Sequence, residues 1–268
     1  MTDVSPSPTA AFFDLDKTVI ARSSALVFTR HFYAEGLLTK RGMLRSAVAQ
    51  LQFALTSGDD HVEKLRAHVT GMCTGWSAQA VRTIVAEQLD DVVRPVIFPE
   101  ALELIAAHKA AGRDVVLVSA SGVEMVEPIG ELLGVDLVRA SVLEVADGHY
   151  TGEIDFYCYG DEKAAVLGRL AAERGYDLAG SYAYSDSSTD IPMLAAVGHA
   201  AVVNPDKVLR ERATTEDWEI LDFPNPAPMI EHPGRIAAAT AATLALTAGV
   251  GVALAARRIH QKNSSRNT

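Results

Sequence analysis

The sequence predicts an α/β chain: a parallel sheet covered by helices on both faces, with a helical segment inserted after the first strand. Three observations carry that prediction. Short apolar runs alternate with amphipathic helical patterns from residue 10 to about 222. Residues 21–95 keep a helical period without a convincing strand. Several helical patterns open at proline or an acidic cap and close at glycine.

The elements follow in chain order. Candidate strands are Ala11–Asp14, Asp114–Ser119, Ser181–Ser185, Ala200–Val203 and Glu219–Leu221. Between them, "PEALELIAAHKAAG" runs from Pro99 to Gly112, "GVEMVEPIGELLG" ends at Gly134, and "DEKAAVLGRLAAERG" starts from Asp161 as a cap and stops at Gly175. "VLEVADGHYTGEI" alternates on both sides of Asp147–Gly148, a tight-turn dipeptide, and reads as a β-hairpin.

The chain therefore divides into a polar, disordered lead-in (1–9), a core (10–20 and 96–222), a helical insertion (21–95), a Pro-rich linker (223–234), an apolar helix (235–258) and a basic tail (259–268). Residues 236–256 contain no charged side chain and are long enough to span a hydrocarbon core, although rich in Ala, Thr and Gly. The start has no basic, then apolar, secretory pattern. These features predict a cytoplasmic main domain anchored to a membrane through its C-terminal segment; oligomeric state stays open.

Nearly half the 268 residues are apolar, enough for a sizeable core. The 34 acidic residues outnumber 24 basic ones for a formal charge of −10, which argues against nucleic acid as the partner. The two cysteines, Cys73 and Cys158, lack paired metal spacing and read as buried, reduced thiols.

In open α/β sheets, ligands gather at the carboxyl ends of strands. After the first strand stand Asp14 and Asp16, a pair that alone would also suit a surface turn. After the second comes "SASG", with the Ser119 hydroxyl ahead of a helix start. Lys163 falls in the first turn of a helix, against the dipole, and asks for a compensating anion. After the third strand, "YSDSSTDIPML" places Asp186 and Asp190 around a loop of small residues. Four carboxylates facing one another cannot all ionise without a cation, and oxygen-rich sets suit Mg²⁺.

"DLDKT", "VLVSAS", "GDEK" and "YSDSSTDIPML" together resemble the four motifs of the haloacid dehalogenase superfamily, in the phosphoserine-phosphatase-like subclass IB with a helical cap between the first two motifs. The resemblance covers about residues 10–222. It implies a Rossmann-like core, a cap over 21–95, Mg²⁺ and phosphoryl transfer through an aspartyl-phosphate. It implies Asp14 as nucleophile and Asp16 as general acid and base. Thr18, Ser119, Ala120 and Lys163 would grip the phosphoryl group. The Asp14 carboxylate, the Asp16 carbonyl and the Asp186 carboxylate would hold the metal, with Asp190 supporting them.

Two departures bear on the substrate. Phosphoserine phosphatases carry a glutamate for the substrate amine where this chain has Ser23, and their carboxylate-gripping cap arginine falls near His68. A further change, Ser185 in place of a frequent glycine, is mild. The expectation is a small phosphorylated metabolite other than phosphoserine. Two other readings stand beside it: a membrane-associated phosphatase acting on a lipid phosphate such as phosphatidylglycerophosphate, and a non-catalytic, membrane-tethered binding module.

Overall fold

The computed structural model describes residues 7–38 and 73–224. Its centre is a seven-stranded sheet in the order β4-β3-β2-β1-β5-β6-β7. The strands are β1 (Ala10–Phe13), β2 (Asp114–Gly122), β3 (Leu137–Ala146), β4 (His149–Phe156), β5 (Tyr182–Ser185), β6 (His199–Val203) and β7 (Glu219–Leu221). All neighbouring pairs are parallel except β3 with β4. The helices are α1 (Ser24–Ala34), α2 (Ala78–Glu87), α3 (Pro99–Ala110), α4 (Val123–Leu133), α5 (Asp161–Arg174), α6 (Ile191–Ala195) and α7 (Lys207–Thr215).

The period of two in β1 divides the core. Ala11 and Phe13 join an apolar cluster with Phe28 of α1, Val85 of α2, Ile105 of α3 and Ile129 of α4. Ala10 and Phe12 face the other way, among Val166 and Leu167 of α5, Met193 of α6 and Leu209 of α7. Both faces of the central strands are thus buried, as their near-continuous apolar runs require.

The strand ends differ from the sequence reading in informative ways. β2 runs on past Ser119 to Gly122, so "SASG" is the end of the strand, and α4 starts directly after it at Val123 as expected. Its pairing with β3 shifts register between Ser119 and Gly122. β3 opens at Leu137, earlier than the hairpin alone suggested, because its first half pairs with β2 and its second half with β4. The hairpin turn is the expected one: Asp147 and Gly148 both have positive φ, 50° and 78°. Asp161 is the first residue of α5 and not its cap, which is Gly160 at φ 58°.

The membrane anchor and the membrane location expected from it are corrected. Among the described residues no helix is long and apolar enough to cross a membrane. Residues 236–256 themselves lie outside the described residues, as do 225–234, 257–268 and His68.

One buried polar group carries a pH consequence. His108 of α3 is 4% exposed; its Nε2 lies 2.8 Å from the Tyr184 hydroxyl and its Nδ1 3.4 Å from an Arg113 guanidinium nitrogen. Burial first, and the Arg113 charge second, push its pKa from 6.5 down to about 4. The unfolded chain therefore binds a proton that the fold refuses. Stability contributed by neutral His108 is complete above about 6.5 and is lost as pH falls toward about 4, a loss of up to about 3 kcal/mol. Urea unfolding across that window is expected to show the fall, and His108→Gln to flatten it. An unchanged slope in the variant would count against His108 as the source.

Candidate active site

The first motif is shaped by a tight turn. The amides of Thr18, Val19 and Ile20 all point back to the Leu15 carbonyl, at 3.4, 3.0 and 3.1 Å. Lys17 takes φ 62°, a left-handed conformation that a non-glycine residue adopts at a cost. This curl follows β1 directly, whose register is fixed by the Asp14 amide donating to the Tyr184 carbonyl at 2.9 Å.

Lys163 is the centre of the arrangement. It stands in the first turn of α5, 3% exposed. Its ammonium donates to Asp14 Oδ1 at 2.6 Å and to Asp190 Oδ2 at 2.7 Å. The compensating anions that its helix position calls for are thus supplied by two other chain segments. Burial works against its charge, but the two carboxylates and their hydrogen bonds prevail and raise its pKa above the ordinary lysine range.

The carboxylates feel the opposite balance. Burial pushes Asp14 up to about 7, with Lys163 opposing and Asp190 and Asp16 adding to the rise. Burial pushes Asp186 up to about 6, against the pull of Lys17. Asp16 is raised by burial too, against hydrogen bonds from Ser24 and Ser121. Asp190 is 2% exposed; its Oδ2 also accepts from the Ser185 hydroxyl at 2.7 Å, while its Oδ1 is buried without a partner among the described residues.

The other expected residues fall as follows. The Thr18 hydroxyl reaches Asp14 Oδ2 at 3.4 Å. Ser119, 1% exposed, accepts from the Ser121 amide at 3.2 Å. The Ala120 carbonyl turns toward β3 and accepts from Ser141 at 2.8 Å. Asp14, Asp16, Lys163 and Asp190 thus share one buried neighbourhood, and Asp186 interacts with Asp190 and Lys163 at its edge. Ser24 and Ser121 were not foreseen, although both bond to Asp16. Cys158 is fully buried and Cys73 half-buried; burial pushes their thiols up to about 12 and about 11, so both are unreactive as thiolates.

A parallel sheet whose strand ends gather carboxylates around a buried lysine defines a class, and the comparisons agree. The family described as haloacid dehalogenase-like hydrolase matches residues 11–195, and the chain belongs to that family. It is a phosphatase of that family. A Mycobacterium tuberculosis protein named a probable phosphatase is 54% identical over 250 residues, covering 92% of this chain and 86% of that one. A phosphoserine phosphatase of the same organism is 34% identical over 252 residues, covering 93% and 80%. Among solved structures, a Bordetella pertussis protein of unknown function superposes with a TM-score of 0.71 at 27% identity, covering 81% of this chain and 99% of that one. The non-catalytic binding module is therefore set aside.

Proposed function

We propose that the chain is a Mg²⁺-dependent phosphomonoester hydrolase that works through a phosphoryl group carried on Asp14. The observation that carries this reading is the buried Lys163 ammonium held between Asp14 and Asp190. A carboxylate nucleophile needs no activating base, and a fixed cation beside it offsets charge on the phosphoryl oxygens.

The residues fit a divalent cation. Among the described residues no three His, Cys, Asp or Glu side chains form a metal-ligand set. The proposed set instead needs two carboxylates, Asp14 and Asp186, and the Asp16 carbonyl, with water completing the shell. Asp14, Asp16, Asp186 and Asp190 outnumber Lys17 and Lys163 nearby, and the buried Asp190 Oδ1 has no partner among the described residues. An excess of hard, negative oxygen in a buried place suits Mg²⁺. When bound, the ion would supply positive charge beside the transferring group.

In the first half of the reaction, an Asp14 oxygen attacks phosphorus and the bond to the ester oxygen breaks. That oxygen leaves with the electron pair and takes the proton carried by Asp16, giving the free alcohol. In the second half, Asp16 takes a proton from water, the water oxygen attacks phosphorus, and the bond to Asp14 breaks. Inorganic phosphate leaves and the Asp14 carboxylate returns. Thr18, Ser119, the Ala120 amide and Lys163 hold the phosphoryl group, and Asp190 keeps Lys163 in place. The insertion over 21–95 selects the substrate, while 10–20 and 96–222 perform the chemistry.

The substrate is a small phosphorylated metabolite. The neutral Ser23, at the start of α1, offers no carboxylate to a substrate amine, which points away from phosphoserine. The relative named a phosphoserine phosphatase makes phosphoserine the comparison compound. Phosphate release is expected from 4-nitrophenyl phosphate and from at least one sugar or alcohol phosphate in preference to phosphoserine. Chelation should abolish it and added Mg²⁺ restore it. No release from any phosphomonoester with Mg²⁺ present would remove the proposal.

A further inference from the structure

The carboxyl of Asp16 is gripped from two chain segments that the sequence keeps far apart. Asp16 Oδ1 accepts from the Ser24 amide at 2.8 Å. Asp16 Oδ2 accepts from the Ser121 hydroxyl at 3.0 Å and the Ser24 hydroxyl at 3.2 Å, and the two hydroxyl oxygens lie 2.8 Å apart. Ser24 is fully buried. It opens α1, and the side chain of the preceding cap residue, Ser23, makes no capping bond, so Asp16 takes that place. Ser121 is aimed by the register shift at the end of β2, where its amide also bonds to Ser119.

We propose that Ser24 and Ser121 are positioning residues that hold the Asp16 carboxyl for proton transfer to the leaving oxygen and from water. The inference rests on the acid and base role given to Asp16 above. The choice of donor matters. Two hydroxyls supply two protons to three oxygen–oxygen contacts, so the hydrogen bonds can be redistributed by rotation. Both can donate to an ionised Asp16, and one can turn to its neighbour when Asp16 carries a proton. An arginine or lysine here would favour the ionised form and oppose the delivery of a proton. The hydroxyl pair fixes the carboxyl in both forms. A misplacement on the order of 1 Å at a reacting group costs about 100-fold in rate.

A leaving-group series separates this role from a merely structural one. Ring-substituted phenyl phosphates, from 4-nitrophenyl to unsubstituted phenyl, need a delivered proton to increasing degrees. The full chain, Ser121→Ala, Ser24→Ala, the double variant, Ser121→Thr and Asp16→Asn are compared with Mg²⁺ present, with urea unfolding run on each. The parent is expected to show a shallow dependence of kcat/KM, which reports the first half of the reaction alone, on leaving-group acidity, and Asp16→Asn a steep one. The alanine variants are expected to steepen it, losing about 10- to 100-fold more in kcat/KM on phenyl phosphate than on 4-nitrophenyl phosphate. Ser121→Thr, which keeps the hydroxyl, should restore the shallow slope. Equal losses across the series, or none, in the alanine variants while Asp16→Asn discriminates would overturn the positioning role alone. An Asp16→Asn variant without a steeper slope would overturn the acid and base assignment, and this inference with it.

Discussion

Asp14→Asn is expected to give a folded protein that has lost phosphate release by several orders of magnitude, the scale seen when a covalent nucleophile is removed. The amide is nearly the shape of the carboxylate and keeps an oxygen for the Lys163 ammonium, which still holds Asp190. It cannot form the acyl-phosphate. Stability should stay level or rise, because the fold does not favour the charge that is removed: burial pushes the native carboxyl up to about 7. Two measurements decide the matter together. Acid-quenched parent enzyme should carry a phosphoryl group on the peptide containing Asp14, and the variant none, while their urea midpoints stay close. Appreciable turnover in the variant would end the nucleophile assignment.

Lys163→Met should be costly on both counts. The ammonium is 3% exposed and sits 2.6 Å and 2.7 Å from two carboxylates. Removing it leaves two unpaired acids in an apolar surround, a loss of about 3–5 kcal/mol. Catalysis should fall by about 10²- to 10³-fold, the usual consequence of losing one fixed electrostatic partner of the transition state. Because the stability loss comes from stranded carboxylates, a second change, Asp190→Asn, should return part of it without returning activity. If the double variant is no more stable than the single one, the buried triad is not what holds these segments together. The two sites are in contact, so non-additivity is the expected signature.

The candidate site was legible because topology does most of the gathering. Parallel strands deliver their C-terminal residues to one crevice, so Asp14, Ser119 and Asp186 could be read from three short apolar runs. Lys163 stood out by being a cation in the wrong turn of a helix, and Asp14 and Asp190 are the reason it is there. Ser24 and Ser121 left no such trace. A serine is ordinary at a helix start or a strand end, and only the packed fold shows that two of them meet one carboxyl. The early start of β3 was hidden for a related reason. Leu137–Arg139 is too short to show a period, and it is extended because it borrows pairing from β2. For the Ala-rich run near the C-terminus, length and lack of charge predict a membrane span; the run lies outside the described residues, and among those no helix is long and apolar enough to cross a membrane.

β4 stands last on one side of the sheet, beside β3, and His149 at its start also bridges to Ser77. Beside its turn, the Gly75 and Ala78 amides donate to the Tyr150 and Gly148 carbonyls, and the Tyr150 amide donates to Trp76. Farther along, Glu153 and Asp155 are exposed. Two molecules meeting rim to rim would therefore bring acid against acid, in a chain already carrying a formal −10. Like charges along this rim oppose edge-to-edge pairing, an opposition that concentrated salt would weaken.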